Sequence, residues 1–95
     1  MLCPLCKLEK VTYWYFENDT LVVLDCKTCH LPQVVLKRHT MEPTIEEKQE
    51  MIEKLTKIAN SLYGKNNWRV REYQRKIKNH IHFHAIPVSF EENNI

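Results

Sequence analysis

The sequence predicts an α+β domain in which one long helix packs across an antiparallel five-stranded sheet. Three observations carry that prediction. Short apolar runs separated by turn residues fill the first half, a single 3.6-periodic apolar stripe follows, and two further extended runs close the chain. At 95 residues the whole chain, 1–95, has the size of one domain. So short a chain buries a modest fraction of its surface, and added support from a metal ion or a second subunit is expected on that ground.

The elements follow in order. VTYWYF (Val11 to Phe16) and LVVLD (Leu21 to Asp25) are rich in β-branched and aromatic residues, and ENDT between them supplies the turn of a β-hairpin. A third strand is expected over Gln33 to Lys37, opened by Pro32, which costs no ladder hydrogen bond at a strand's first position. The helix is expected over 44–63: Thr44 and Glu47 form a capping box, Pro43 sits just outside, and Gly64 offers a left-handed stop. Ile45, Met51, Ile52, Leu55, Ile58, Ala59 and Leu62 recur at three- and four-residue spacing and define its core stripe. Trp68 to Tyr73 and Ile77 to Val88 then read as a C-terminal hairpin over 68–88, joined by the polar Gln74 to Lys76. The tail EENNI is expected to fray.

Composition narrows the class. With 43% hydrophobic and 27% charged residues the chain is a folded globule, neither disordered nor collagen-like. No apolar run approaches the roughly 20 residues that span a bilayer, and MLCPLCKLEK lacks the apolar region of a secretory signal, so a cytoplasmic protein without a membrane partner is expected. The net charge of +2 hides an uneven layout: residues 42–53 are acidic, whereas residues 65–78 hold six Lys or Arg against one Glu. Such a basic stretch suits either a solvated strand edge or attraction of phosphate, in a nucleotide or a nucleic acid.

Four cysteines fall in two C-x-x-C pairs, Cys3 with Cys6 and Cys26 with Cys29. A reducing compartment favours metal ligation over disulfides, and two such loops complete a closed tetrahedral Zn²⁺ site. The proposed hairpin supports this reading, since Cys6 enters its first strand and Cys26 leaves its second. Residues 1–30 thus read as a zinc-binding hairpin, with Zn²⁺ a structural cofactor that drives folding.

Three of the five histidines alternate with apolar residues in HIHFHAIP. On a strand His80, His82 and His84 share one face, and Ile81, Phe83 and Ala85 share the other. One face suits a core, the other a site. Histidines on a surface strand are the plainer reading, and three in register argue against it.

Together these pieces resemble the histidine triad (HIT) superfamily of nucleotidyl hydrolases and transferases, which is related to the galactose-1-phosphate uridylyltransferases. HIHFHAIP matches the family's H-φ-H-φ-H-φ-φ signature (φ apolar). LVVLD followed by QVVLKRH is similar to its strand ending in Asp and its later strand ending in a basic residue and His, and an N-terminal C-x-x-C recurs in zinc-containing members. The resemblance implies a HIT-like fold, a homodimer, and a nucleotide or nucleotide-conjugate substrate. It implies a nucleophile at His82, which forms a covalent nucleotidyl-histidine, with His84 at the phosphoryl oxygens and leaving group and His80 beside it. Asp25 matches the acid that contacts ribose, and His39 the His that ends the KRH element. Zinc-bearing relatives use a ligand set that corresponds here to Cys3, Cys6, His39 and His80, which competes with the four cysteines. Where relatives carry a Gly-Gln-Ser/Thr-like phosphate grip, this chain has Arg75, Lys76 and Ile77, so the grip passes to Arg or Lys side chains.

Two other readings stand beside an enzyme. A non-catalytic zinc module could bind nucleic acid through the basic 65–78 segment, with Lys65, Arg69, Arg71, Arg75, Lys76 and Lys78 on phosphates; alternation sets Arg69 and Arg71 on one strand face, turns Trp68 inward and leaves Tyr73 for stacking on bases. Alternatively, the three histidines could themselves ligate a catalytic metal.

Overall fold

Six elements follow one another in the computed structural model, which describes residues 12–26, 30–72 and 80–89: β1 (Trp14–Glu17), β2 (Leu21–Asp25), β3 (Pro32–Leu36), α1 (Ile45–Tyr63), β4 (Trp68–Arg71) and β5 (His82–Pro87). The strands form one open antiparallel sheet in the order β1-β2-β3-β5-β4, and α1 lies across one face, chiefly over β3. The α+β class, the five strands and the single helix are therefore as the sequence predicts. None of the helices among the described residues is long and apolar enough to cross a membrane.

The first hairpin closes on Asn18. Its side-chain oxygen accepts from the backbone N–H groups of Thr20 and Leu21 at 2.9 Å, and its own N–H donates to the Leu21 carbonyl at 3.0 Å. β1 begins later than the aromatic run suggests. Trp14 faces Leu24 and Phe16 faces Val23, so Tyr15 is an extra residue, a β-bulge that sends both Tyr15 and Phe16 toward the helix-side core. The expected start at Val11 lies outside the described residues. β3 runs one residue earlier than expected at both ends, and Lys37 still donates its N–H to Thr20 at 2.8 Å.

Helix α1 starts with the expected reciprocal cap: Glu47 N–H donates to the Thr44 hydroxyl at 3.1 Å, and Thr44 N–H to the Glu47 carboxylate at 2.8 Å. It stops at Gly64, whose φ of 91° and ψ of 148° are open to glycine but are not the left-handed helical cap expected. Met51, Leu55 and Ala59 are fully buried, whereas Ile45 is 74% exposed and Leu62 47%. Geometry explains this correction to the stripe. Nineteen helical residues span about 28 Å, longer than the strands of four to six residues beneath, so the two ends of the helix overhang the sheet.

The sheet is buried on both faces. Toward α1 it presents Leu21, Val23, Val34, Leu36, Phe83 and Ala85. Away from α1 it presents Val22, Leu24 and Val35, with Trp14 packed against them. Leu55→Ala should cost about 2–5 kcal/mol in urea denaturation, because it hollows the centre of the helix contact. Ile45→Ala, at the overhanging end, should stay within about 0.5 kcal/mol of the parent. Equal costs for the two would contradict the overhang.

Candidate active site

Antiparallel pairing sets residues that face one another on the same side of a sheet. Trp14, Leu24, Gln33, His84 and Arg71 are partners in turn across all five strands and form one row. The adjacent row on that face runs Glu17, Val22, Val35, His82. His82 and His84 therefore stand on the face turned away from α1, while Phe83 between them enters the helix-side core. His82 and His84 are each 6% exposed, and their rings meet edge-on with centroids 5.5 Å apart.

The expected trio in register is a pair plus one. Strand β5 begins at His82, and His80 precedes it; the expected start at Ile77 lies outside the described residues. The ladder is interrupted there because Ile81 donates its N–H to the Thr40 carbonyl at 2.7 Å, beyond the end of β3. The His80 ring bonds instead to the chain leaving β3: Nε2 donates to the Leu36 carbonyl at 2.5 Å, and Nδ1 lies 3.2 Å from His39 Nδ1. A carbonyl only accepts, so His80 carries its hydrogen on Nε2 when neutral, and its Nδ1 accepts from His39.

The same reasoning fixes His82. Its Nδ1 sits 2.9 Å from the His80 carbonyl and donates to it, which leaves the lone pair of the neutral ring on Nε2. His84 differs: its Nε2 is buried and has no hydrogen-bond partner among the described residues. Such an orphaned nitrogen costs about 1–3 kcal/mol, a cost that a ligand atom placed there would relieve. Burial lowers the His82 pKa from 6.5; the bond to the His80 carbonyl and the Cys26 thiol oppose that shift, and the charges of His84 and His80 reinforce it. Burial likewise lowers His80, against the Leu36 bond and with the His39 charge. Both rings are thus kept neutral, the form a nucleophile or hydrogen-bonded support requires.

The other expected site residues divide sharply. Asp25 follows Leu21 and Val23 in strand alternation, so it belongs to the helix-side face, where its carboxylate accepts from the Tyr15 hydroxyl at 2.7 Å. The sheet thus places Asp25 on the face opposite His82 and His84. His39 is exposed and touches His80, not His82 or His84. Arg75 and Lys76 lie outside the described residues, as do Cys3, Cys6 and Cys29. Trp68 packs against the helix-side core with its indole N–H on Asn60 at 2.7 Å, which removes it from any base-stacking surface.

Cys26 and the His39/His80 pair occupy opposite ends of the β2/β3 ladder. Cys26 N–H donates to Leu31 at one end, and Lys37 N–H to Thr20 at the other, roughly 20 Å apart at 3.4 Å per residue. Donors on one tetrahedral zinc lie within about 4 Å of each other, so Cys26 cannot share an ion with those histidines. No group of three or more potential ligands converges among the described residues.

Two residues at the site were not selected from the sequence for this role: Gln33 and Arg71, which flank His84 on either side and are 5% and 4% exposed. Alternation placed Arg71 on a face with Arg69, but only the β4/β5 register places that face beside His84.

Neutral buried imidazoles make stability depend on pH. As pH falls through about 6.5, the unfolded chain protonates His80 and His82 while the fold resists, so stability should decline between pH 7 and pH 5.5. His82→Gln should flatten that decline in urea midpoints across the same range, and parallel curves would count against it.

No protein-family model, curated protein or solved structure matches this chain.

Proposed function

We propose that the protein is a nucleotide-binding hydrolase or transferase of the histidine triad type, working at a phosphate through a covalent nucleotidyl-histidine on His82. The observation that carries this reading is the His82 Nδ1 bond to the His80 carbonyl, which puts the nucleophilic lone pair on Nε2 of a ring whose centroid is 5.5 Å from that of His84, itself with an orphaned Nε2. Nε2 attacks phosphorus and forms a P–N bond. The bond from phosphorus to the leaving group breaks, and that group departs with the electron pair and takes up a proton. Water or another acceptor then attacks phosphorus and gives up its proton, the P–N bond breaks with its electron pair returning to Nε2, and His82 is neutral again. His84 contacts the phosphoryl oxygens. His80 acts through its carbonyl, which orients His82, and its own ring is held by Leu36 and His39.

A structural Zn²⁺ held by Cys3, Cys6, Cys26 and Cys29 accompanies this reading. Its support is where the chain enters β1: Thr12 donates its hydroxyl to the Asp25 carbonyl at 2.7 Å, and Asp25 N–H donates to Tyr13 at 2.9 Å, beside Cys26. Cys6, six residues before Thr12, reaches that end easily. Reaching His39 at the far end would need about 20 Å, those six residues fully stretched. The short His39/His80 contact is then a hydrogen bond within the protein.

Adenosine phosphoramidate tests the chemistry. Turnover should fall by about 10³-fold or more in His82→Ala and by about 10²-fold in His84→Ala, and intact-mass analysis of wild type should trap a nucleotidyl adduct absent from His82→Ala. Turnover equal in wild type and His82→Ala would end the proposal. For the metal, Cys26→Ser should release the zinc and His39→Ala should retain it; the reverse pattern in elemental analysis would transfer the site to the histidines.

A further inference from the structure

We infer that Arg71 is the phosphate-binding side chain of this site, supplying through its guanidinium fork the grip that a glycine-containing loop would supply through backbone N–H groups. The inference rests on the proposed function for the identity of the anion as a nucleotide phosphate.

Register is the first argument. Arg71 is the direct partner of His84, so its side chain rises from the same face one strand over, about 5 Å away. Burial is the second. Arg71 is 4% exposed, and a guanidinium cannot lose its charge to ease the cost of leaving water. Its planar fork of five N–H donors matches the spacing of two oxygens on one anion. The third argument is convergence: the orphaned Nε2 of His84 occupies the same row, and His82 the next. A phosphate seated there meets two kinds of nitrogen at once. The fork holds two non-bridging oxygens in its plane while His82 faces phosphorus.

The sequence makes the same demand from another direction. The chain's one glycine, Gly64, ends α1, and residues 72–79 between β4 and the triad contain none. Backbone cannot approach an anion as closely there, so side chains must do the work. Arg71, fixed in a ladder, is better placed for that work than a residue of a connecting segment, because its position is set by the same hydrogen bonds that set His84.

The test measures binding of adenosine monophosphate by calorimetry and steady-state turnover of adenosine phosphoramidate in wild type, Arg71→Met, Arg71→Lys and the control Lys57→Ala, an exposed helix position on the opposite side of the sheet. Arg71→Met should weaken nucleotide binding and raise KM together, about 10- to 100-fold, with the smaller change in kcat. Arg71→Lys keeps the charge without the fork and should lose at least about fivefold in affinity. Lys57→Ala should match wild type. Melting curves establish that each variant is folded, and should Arg71→Met fail to fold, Arg71→Lys decides. Unchanged affinity in the folded Arg71 variants, or no nucleotide binding by wild type, overturns the inference. A wild type that binds the nucleotide but does not turn over, with affinity lost in Arg71→Met, sinks the hydrolase reading and leaves Arg71 in its role.

Discussion

Strand β5 is clamped between β3 and β4, and the pairing of Val34 with Phe83 and of Val35 with His82 decides which of its side chains meets the helix. Phe83 and Ala85 enter the core with Leu55 and Met51; His82 and His84 are left for the other face. A slip of one residue would exchange them, driving imidazoles against the helix and stranding Phe83 on the far side. Burying the Phe side chain contributes about 2–3 kcal/mol, and burying unpartnered imidazoles costs about as much, so the two penalties of a slip add. The hydrophobic core is thus what aims the histidines.

Within that frame the four imidazoles near the end of the sheet have different surroundings. Two are tied to backbone carbonyls, His80 to Leu36 and His82 to His80, and each such bond selects one tautomer. His39 is exposed at the surface end of the His80 contact. His84 has a buried nitrogen that the described protein atoms do not satisfy. Hydrogen bonding alone thus sets the four rings apart from one another.

Much of the architecture was legible because it depends on local chemistry. The Thr44/Glu47 cap, the stripe through Met51, Leu55 and Ala59, and the alternation of HIHFHAIP each need only a few consecutive residues to read. The bulge at Tyr15 was hidden, since an extra residue leaves no mark in an aromatic run. The parity of Asp25 with Val23 turns it to the helix-side face, away from His82, and the resemblance carries no such parity. The departure of His80 from the strand depends on Thr40, and the position of Arg71 depends on which strands pair. Neither is a property of a short segment, so neither could be read from one.

The strand order has a kinetic consequence. β1 and β2 join through a tight turn and β3 follows at once, but β5 must find β3 across about 45 intervening residues, and the edge strand β4 pairs with β5 alone. Closing so long a loop is entropically slow, and it is the closing step that sets the two imidazoles beside Gln33 and Arg71. A nascent chain can therefore hold its first hairpin and its helix well before His82 and His84 meet Gln33 and Arg71.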